Sequence, residues 1–115
     1  MDFKYETWGN ILLISNSDKY KIKTLTIYPN SLIDLRSHNY TNKHIIVLLG
    51  EAVIEINNNI HKLNINDYIY IPNKTKYQIS NDTNCVIELL VTETGEYIND
   101  SDCIKYNKIN NDYFK

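Results

Sequence analysis

The side chains best suited to chemistry in this 115-residue chain cluster at Arg36, His38, Tyr40 and Lys43, and Tyr77 opens a second polar segment. Their spacing is Asn30-x5-Arg36-x-His38-x4-Lys43-x6-Gly50, then Asn66-x5-Pro72-x-Lys74-x2-Tyr77-x3-Asn81. A metal ion needs lone pairs from imidazole, carboxylate, thiolate or carbonyl oxygen, and of these groups only His38 is a natural ligand at neutral pH. Arg36 is a permanent cation with no free lone pair. Lys43 is charged unless its pKa falls far below about 10.4, and Tyr77 would have to ionise from about 10. A guanidinium fork and an ammonium are instead suited to a carboxylate or a phosphate.

Short strands must position these groups. Tyr20 to Tyr28 alternates, Ile45 to Leu49 is continuously apolar, and Ala52, Ile54 and Ile56 alternate with Glu51, Val53 and Glu55. The continuous run predicts a strand covered on both faces. Asn57-Asn58-Asn59 predicts a hairpin turn, because Asn tolerates positive φ, and Ile60 to Ile65 is the returning strand. Tyr68 to Ile71 is a short strand stopped by Pro72. Tyr77 to Ser80 and Cys85 to Thr92 follow, separated by a turn-rich segment. The pattern predicts an all-β sandwich or barrel, with at most one helical turn within Asp100 to Lys108. With only three glycines, asparagine is expected at many tight turns.

Composition narrows the classes further. The length fits one domain, residues 1–115, with a modest core. Isoleucine and asparagine, 18 and 17 residues, are abundant, as AT-rich codon usage produces. A net charge of −2 and the lack of any basic block disfavour nucleic-acid binding through phosphates. The start of the chain has no signal-peptide shape, and no apolar run approaches the ~20 residues of a membrane span. Cys85 and Cys103 are too few for a disulfide framework or a zinc site and are read as reduced thiols, so a cytoplasmic protein is expected.

The two spaced segments resemble the two-part signature of the cupin superfamily, G-x5-H-x-H-x3-4-E-x6-G and G-x5-P-x-G-x2-H-x3-N. Further segments resemble one cupin family: Trp8-Gly9 with Ile11-Leu12-Leu13, Tyr20-Lys21-Ile22-Lys23 with Leu25-Thr26-Ile27-Tyr28-Pro29, Tyr70-Ile71-Pro72, Thr94-Gly95-Glu96-Tyr97-Ile98 and Asp102-Cys103-Ile104-Lys105. That family is the type II mannose-6-phosphate isomerase domain, often the C-terminal part of bifunctional enzymes that also carry a GDP-mannose pyrophosphorylase. The resemblance covers about residues 6 to 113. It implies a single jelly-roll β-barrel with a divalent metal (Zn, Mn or Fe) in its mouth, interconverting mannose 6-phosphate and fructose 6-phosphate. At the family's ligand positions, however, Arg36 replaces Gln, Tyr40 the third His, Lys43 the Glu and Tyr77 the last His, while His38 is retained. Lys74 stands where the family has Gly.

The resemblance thus implies a degenerate, metal-free site in which Arg36, His38, Tyr40, Lys43 and Tyr77 bind a small anionic or sugar-phosphate ligand of nucleotide-sugar or glycan metabolism. An active sugar-phosphate isomerase or epimerase, with rearranged metal ligands or none, stays open. So does a structural or interaction module. Asp34, Arg36 and His38 share one strand face, and Ile33 and Leu35 the other. If the polar face meets water, Arg36 and Lys43 are solvated charges. If it points into a barrel, Ile33 and Leu35 need cover from the N-terminal strand or a second subunit, which favours a homodimer. His44 and His61 read as ordinary strand histidines, Trp8 as a packing residue, Tyr77 as a filler of the space a metal leaves, and Glu88 and Glu93 as ion-pair partners or a base.

Overall fold

The computed structural model describes residues 2–96 and 98–106. In chain order its strands begin with β1 (Phe3–Glu6), β2 (Gly9–Asn16), β3 (Tyr20–Ile27), β4 (Ser31–Leu32), β5 (Arg36–His38) and β6 (Asn42–Leu49). They continue with β7 (Ala52–Ile56), β8 (Asn59–Leu63), β9 (Tyr68–Ile71), β10 (Tyr77–Asn81), β11 (Ile87–Thr94) and β12 (Cys103–Lys105). One sheet runs β1-β2-β3-β11-β6-β9, and a second runs β12-β5-β10-β7-β8 with β4 also paired to β10. Every pairing is antiparallel. The predicted all-β barrel is the observed architecture.

Period-two alternation builds the core between the sheets. Leu25 and Ile27 on β3, Ile45 and Val47 on β6, and Ile87, Leu89 and Val91 on β11 point inward from the first sheet. Ala52, Ile54, Tyr77 and Ile79 meet them from the second. The same inward faces turn polar at one end: β3 continues from Leu25 to Lys23, β6 runs back from Ile45 to Lys43, and β11 runs on from Val91 to Glu93. Each strand therefore supplies core at one end of the barrel and charge at the other.

Several expectations need correction. Ile45–Leu49 is covered on one face only: Ile46 and Leu48 are 37% and 40% exposed, on an outer sheet face that also carries Tyr68 and Tyr70. The run is apolar throughout, but among the described residues no second layer packs outside it. Ile33 is 3% exposed within the chain's own core, so it needs no second subunit to cover it, and Leu35 is half-buried. The expected helical turn is present, as a single 3-10 turn, Asp100–Asp102, after which the chain extends as β12; positions 107 and 108 lie outside the described residues. The last long strand begins at Ile87 rather than Cys85. The Cys85 carbonyl instead accepts a hydrogen bond from the buried Asn81 amide, which also donates to the carbonyls of Ile27 and Tyr28. No helix among the described residues is long and apolar enough to cross a membrane.

The turns account for the missing glycines. Asn57 and Asn58 sit at φ 50° and 69° in the β7–β8 hairpin, and Asn30, Asn66 and Lys74 at 53°, 74° and 65°. Gly50, at φ 81°, also has no room for a side chain, since a Cβ would lie 2.6 Å from Ile87 Cγ2. Asparagine enters the left-handed region at low cost; lysine does not. The Lys74 N–H donates to the His38 carbonyl, so its strained turn holds the backbone of β5. Lys74→Gly is expected to stabilise the fold by about 0.5–1 kcal/mol in urea unfolding, after the entropy cost of glycine is subtracted. Asn66→Gly is expected to gain less, and equal effects at the two positions would contradict the strain at Lys74.

Candidate functional site

At the polar end the two sheets enclose a cavity of about 310 Å³. The first sheet contributes Ile11, Lys23, Lys43 and Glu93 to its wall, and the β1–β2 turn adds Trp8; the second sheet contributes Arg36, His38, Cys103 and Lys105. β5 is central to the second wall. Its Arg36 lies opposite Tyr77 of β10 on one side and Lys105 of β12 on the other, and His38 lies opposite Cys103.

His38 is 9% exposed, and its Nε2 lies 2.9 Å from the Tyr77 hydroxyl, with the rings stacked. Burial and the neighbouring Lys43 charge lower its pKa to about 4, against partial opposition from Glu93 and Asp102. Burial pushes the Tyr77 phenol well above its ordinary range. A neutral imidazole and a neutral phenol therefore share this hydrogen bond at neutral pH.

Glu93 faces Lys43 across the β11–β6 pair, and its Oε2 also contacts Lys23 Nζ at 3.0 Å. Burial alone would raise the Glu93 pKa, but the two ammonium groups overcome it and hold the carboxyl at about 2. A buried charge is tolerated only when paired, and here one carboxylate serves two cations.

The wall formed by β12 is fastened by Asp102. Its carboxylate accepts from the backbone N–H groups of Asn39 and Tyr40, both at 3.0 Å, and from the Thr41 hydroxyl at 3.1 Å. Burial raises the Asp102 pKa, but these hydrogen bonds prevail and leave it below the ordinary value. Beyond β12, Tyr106 donates its N–H to the Leu35 carbonyl and places its hydroxyl 3.0 Å from Ser37 Oγ.

Of the residues singled out from the sequence, Arg36, His38 and Lys43 line the cavity. Tyr77 sits behind His38, 2% exposed, within the core. Tyr40 is displaced from the expected set: it is 53% exposed and absent from the cavity wall, because Asp102 anchors its backbone while its ring lies at the surface. Nor is Lys43 a free charge, since Glu93 neutralises it. Trp8 packs in the core and also forms part of the cavity wall. Sequence reasoning assigned no site role to Lys23, Asp102 or Lys105, and it read Glu93 only as an ion-pair partner or base. The alternation Lys21, Lys23, Leu25, Ile27 was the available signal, for it puts two lysines on the inward face of β3.

Among the described residues no three His, Cys, Asp or Glu side chains converge. His38 Nε2 is engaged by Tyr77, and Glu93 Oε2 by two ammonium groups that would repel a cation.

The His38 shift predicts the acid response. The unfolded chain protonates this imidazole near pH 6.5 and the folded chain only near 4, so the unfolded state binds more protons in between and stability falls as pH drops through that window. The loss is expected to reach roughly 3 kcal/mol in urea unfolding across pH 7 to 4. Glu93 acts in a lower window: its contribution is complete above 4.5 and is lost towards 2. His38→Gln is expected to flatten the slope between pH 6.5 and 4, and an unchanged slope would falsify the assignment.

Residues 2–108 match the family described as Mannose-6-phosphate isomerase C-terminal. A mannose-1-phosphate guanylyltransferase of Escherichia coli is 26% identical over 102 residues, which are 89% of this chain and 21% of that protein. Alginate biosynthesis protein AlgA of Pseudomonas putida is 23% identical over 105 residues, 91% of this chain and 22% of that one. The chain thus spans about a fifth of the length of these curated relatives. Among solved structures, oxalate decarboxylase of Bacillus subtilis superposes with a TM-score of 0.80 at 14% identity, over 90% of this chain and 29% of that one. A Streptomyces PAC13 variant with uridine gives 0.79 at 11% identity, over 92% and 84%. The Cnp3 cupin domain of Schizosaccharomyces pombe gives 0.76 at 9%, over 83% and 69%. Identities this low speak for the fold alone, and that fold is the cupin barrel. With nearly all its length matched and its signature intervals kept, the chain belongs to the cupin family of mannose-6-phosphate isomerase C-terminal domains.

Proposed function

We propose that this domain binds a small anionic sugar, a sugar phosphate, in the barrel mouth without a metal ion, within nucleotide-sugar metabolism. The observation that carries the reading is the cation-rich cavity: six basic side chains face three acidic ones around its wall. Fixed positive charge in a partly open cavity attracts an anion. Membership of the family and the guanylyltransferase relatives support the metabolic setting.

Two further features favour binding over the other readings. An open cavity of about 310 Å³ argues against a barrel mouth filled by side chains. Isomerisation needs a base near neutral pKa to move a carbon-bound proton. His38, at about 4, and Glu93, at about 2, the candidates buried in the wall, are both far too weakly basic at pH 7.

A thermal-shift series on protein stripped with EDTA tests this. Mannose 6-phosphate and fructose 6-phosphate at a hundredfold excess over Kd are expected to add ~2.7 kcal/mol, a midpoint rise of several degrees. EDTA is expected to leave the shift unchanged, with no interconversion of the two sugars. Turnover that EDTA abolishes would overturn the metal-free reading, and a flat response to every sugar phosphate would overturn ligand binding.

A further inference from the structure

Among the described residues, β5 and β12 form a strand pair that sets like charges opposite each other. Lys105 lies directly opposite Arg36 in the register, and both line the cavity. Like charges facing each other across an antiparallel pair destabilise it. Neither has an acidic partner among the described residues: Arg36 Nε donates to the Asp34 carbonyl at 3.2 Å, which leaves the two terminal nitrogens of the guanidinium uncommitted. This sets the pair apart from the lysines deeper in the cavity, where Glu93 supplies the counter-charge.

The repelling pair is held together from both ends. Asp102, just before β12, takes three hydrogen bonds from the segment 39–41. Tyr106, just after it, bonds to Leu35 and Ser37. Both anchors tie β12 to the loop and strand that flank Arg36, so two cations are kept side by side at the rim of a cavity.

We propose that Arg36 and Lys105 form a phosphate-monoester subsite at this rim, and that the anion supplies the counter-charge the β5–β12 pair lacks. The inference rests on the binding reading above and sharpens it by locating the phosphate and the class of ligand. A dianion matches two fixed cations, and its tetrahedral oxygens accept from a guanidinium fork and an ammonium together. A cavity of about 310 Å³ is at the small end of ligand pockets and suits one monosaccharide unit rather than a nucleotide sugar. The sugar then extends inward towards Thr41 and the Lys43–Glu93 pair, with its phosphate at the rim.

Charge reversal separates this proposal from general attraction to a basic surface. Inorganic phosphate, mannose 6-phosphate and mannose are titrated at constant ionic strength, with the unfolding midpoint as the readout. Wild type is expected to respond to both phosphates, more strongly to the sugar phosphate, and not to mannose. Lys105→Gln and Arg36→Gln are expected to weaken the phosphate response at least tenfold, whereas Lys62→Gln, on exposed β8, leaves it intact. Lys105→Glu turns the repelling pair into an ion pair. It is expected to raise the midpoint of the ligand-free protein by one to several degrees while abolishing the response to both phosphates. A full response surviving in Lys105→Gln and Lys105→Glu would sink the subsite and leave the binding reading standing. A wild type that ignores every phosphate would sink both, and response to inorganic phosphate alone would assign the site to free phosphate rather than to a sugar phosphate.

Discussion

One carboxylate governs the polar end of this barrel. Glu93 projects inward from the same face of β11 that supplies Ile87, Leu89 and Val91 to the core, and it meets Lys43 and Lys23 from the strands on either side. An inward lysine without a partner would have to lose its charge or draw in water. With Glu93 in place, two ammonium groups remain charged inside a protein wall, and the strand ends that carry them keep their register. Charge in this part of the cavity wall is satisfied from within the chain.

The same arrangement sets the charge pattern at the mouth. Here positive charge is spread over side chains, partly cancelled by Glu93 and concentrated again at the rim where Arg36 meets Lys105. His38 persists in a different role, since its imidazole is neutral and tied to a buried phenol. Tyr77 both fills core volume and fixes that ring.

Much of the fold was legible from local pattern. The signature intervals report backbone geometry more than residue chemistry: Asn30, Asn66 and Lys74, at three positions where the signature has glycine, all keep a left-handed backbone. Alternation revealed β3 and β7 because their periodicity is local, and Pro72 marked the end of β9. The site was legible only in part, because its decisive contacts are distant in sequence. Glu93 and Lys43 are 50 residues apart, and Asp102 and Thr41 are 61 apart. Nothing near Tyr40 signals that Asp102 will hold its amide while its ring stays outside. Nor does the apolar run Ile45–Leu49 reveal that only one of its faces is packed, for Ile46 and Leu48 are as hydrophobic as the residues that are buried.

The grading of each long strand from core to charge has a consequence for how such a barrel diversifies. Substitutions at the charged tips of β3, β5, β6 and β11 alter the charge of the cavity wall, while the alternating aliphatic segments behind them keep the scaffold assembled. Cavity chemistry and folding are thus written on different lengths of the same strands. The barrel is retained here although positions where the resemblance has glutamate and histidine carry Lys43 and Tyr77.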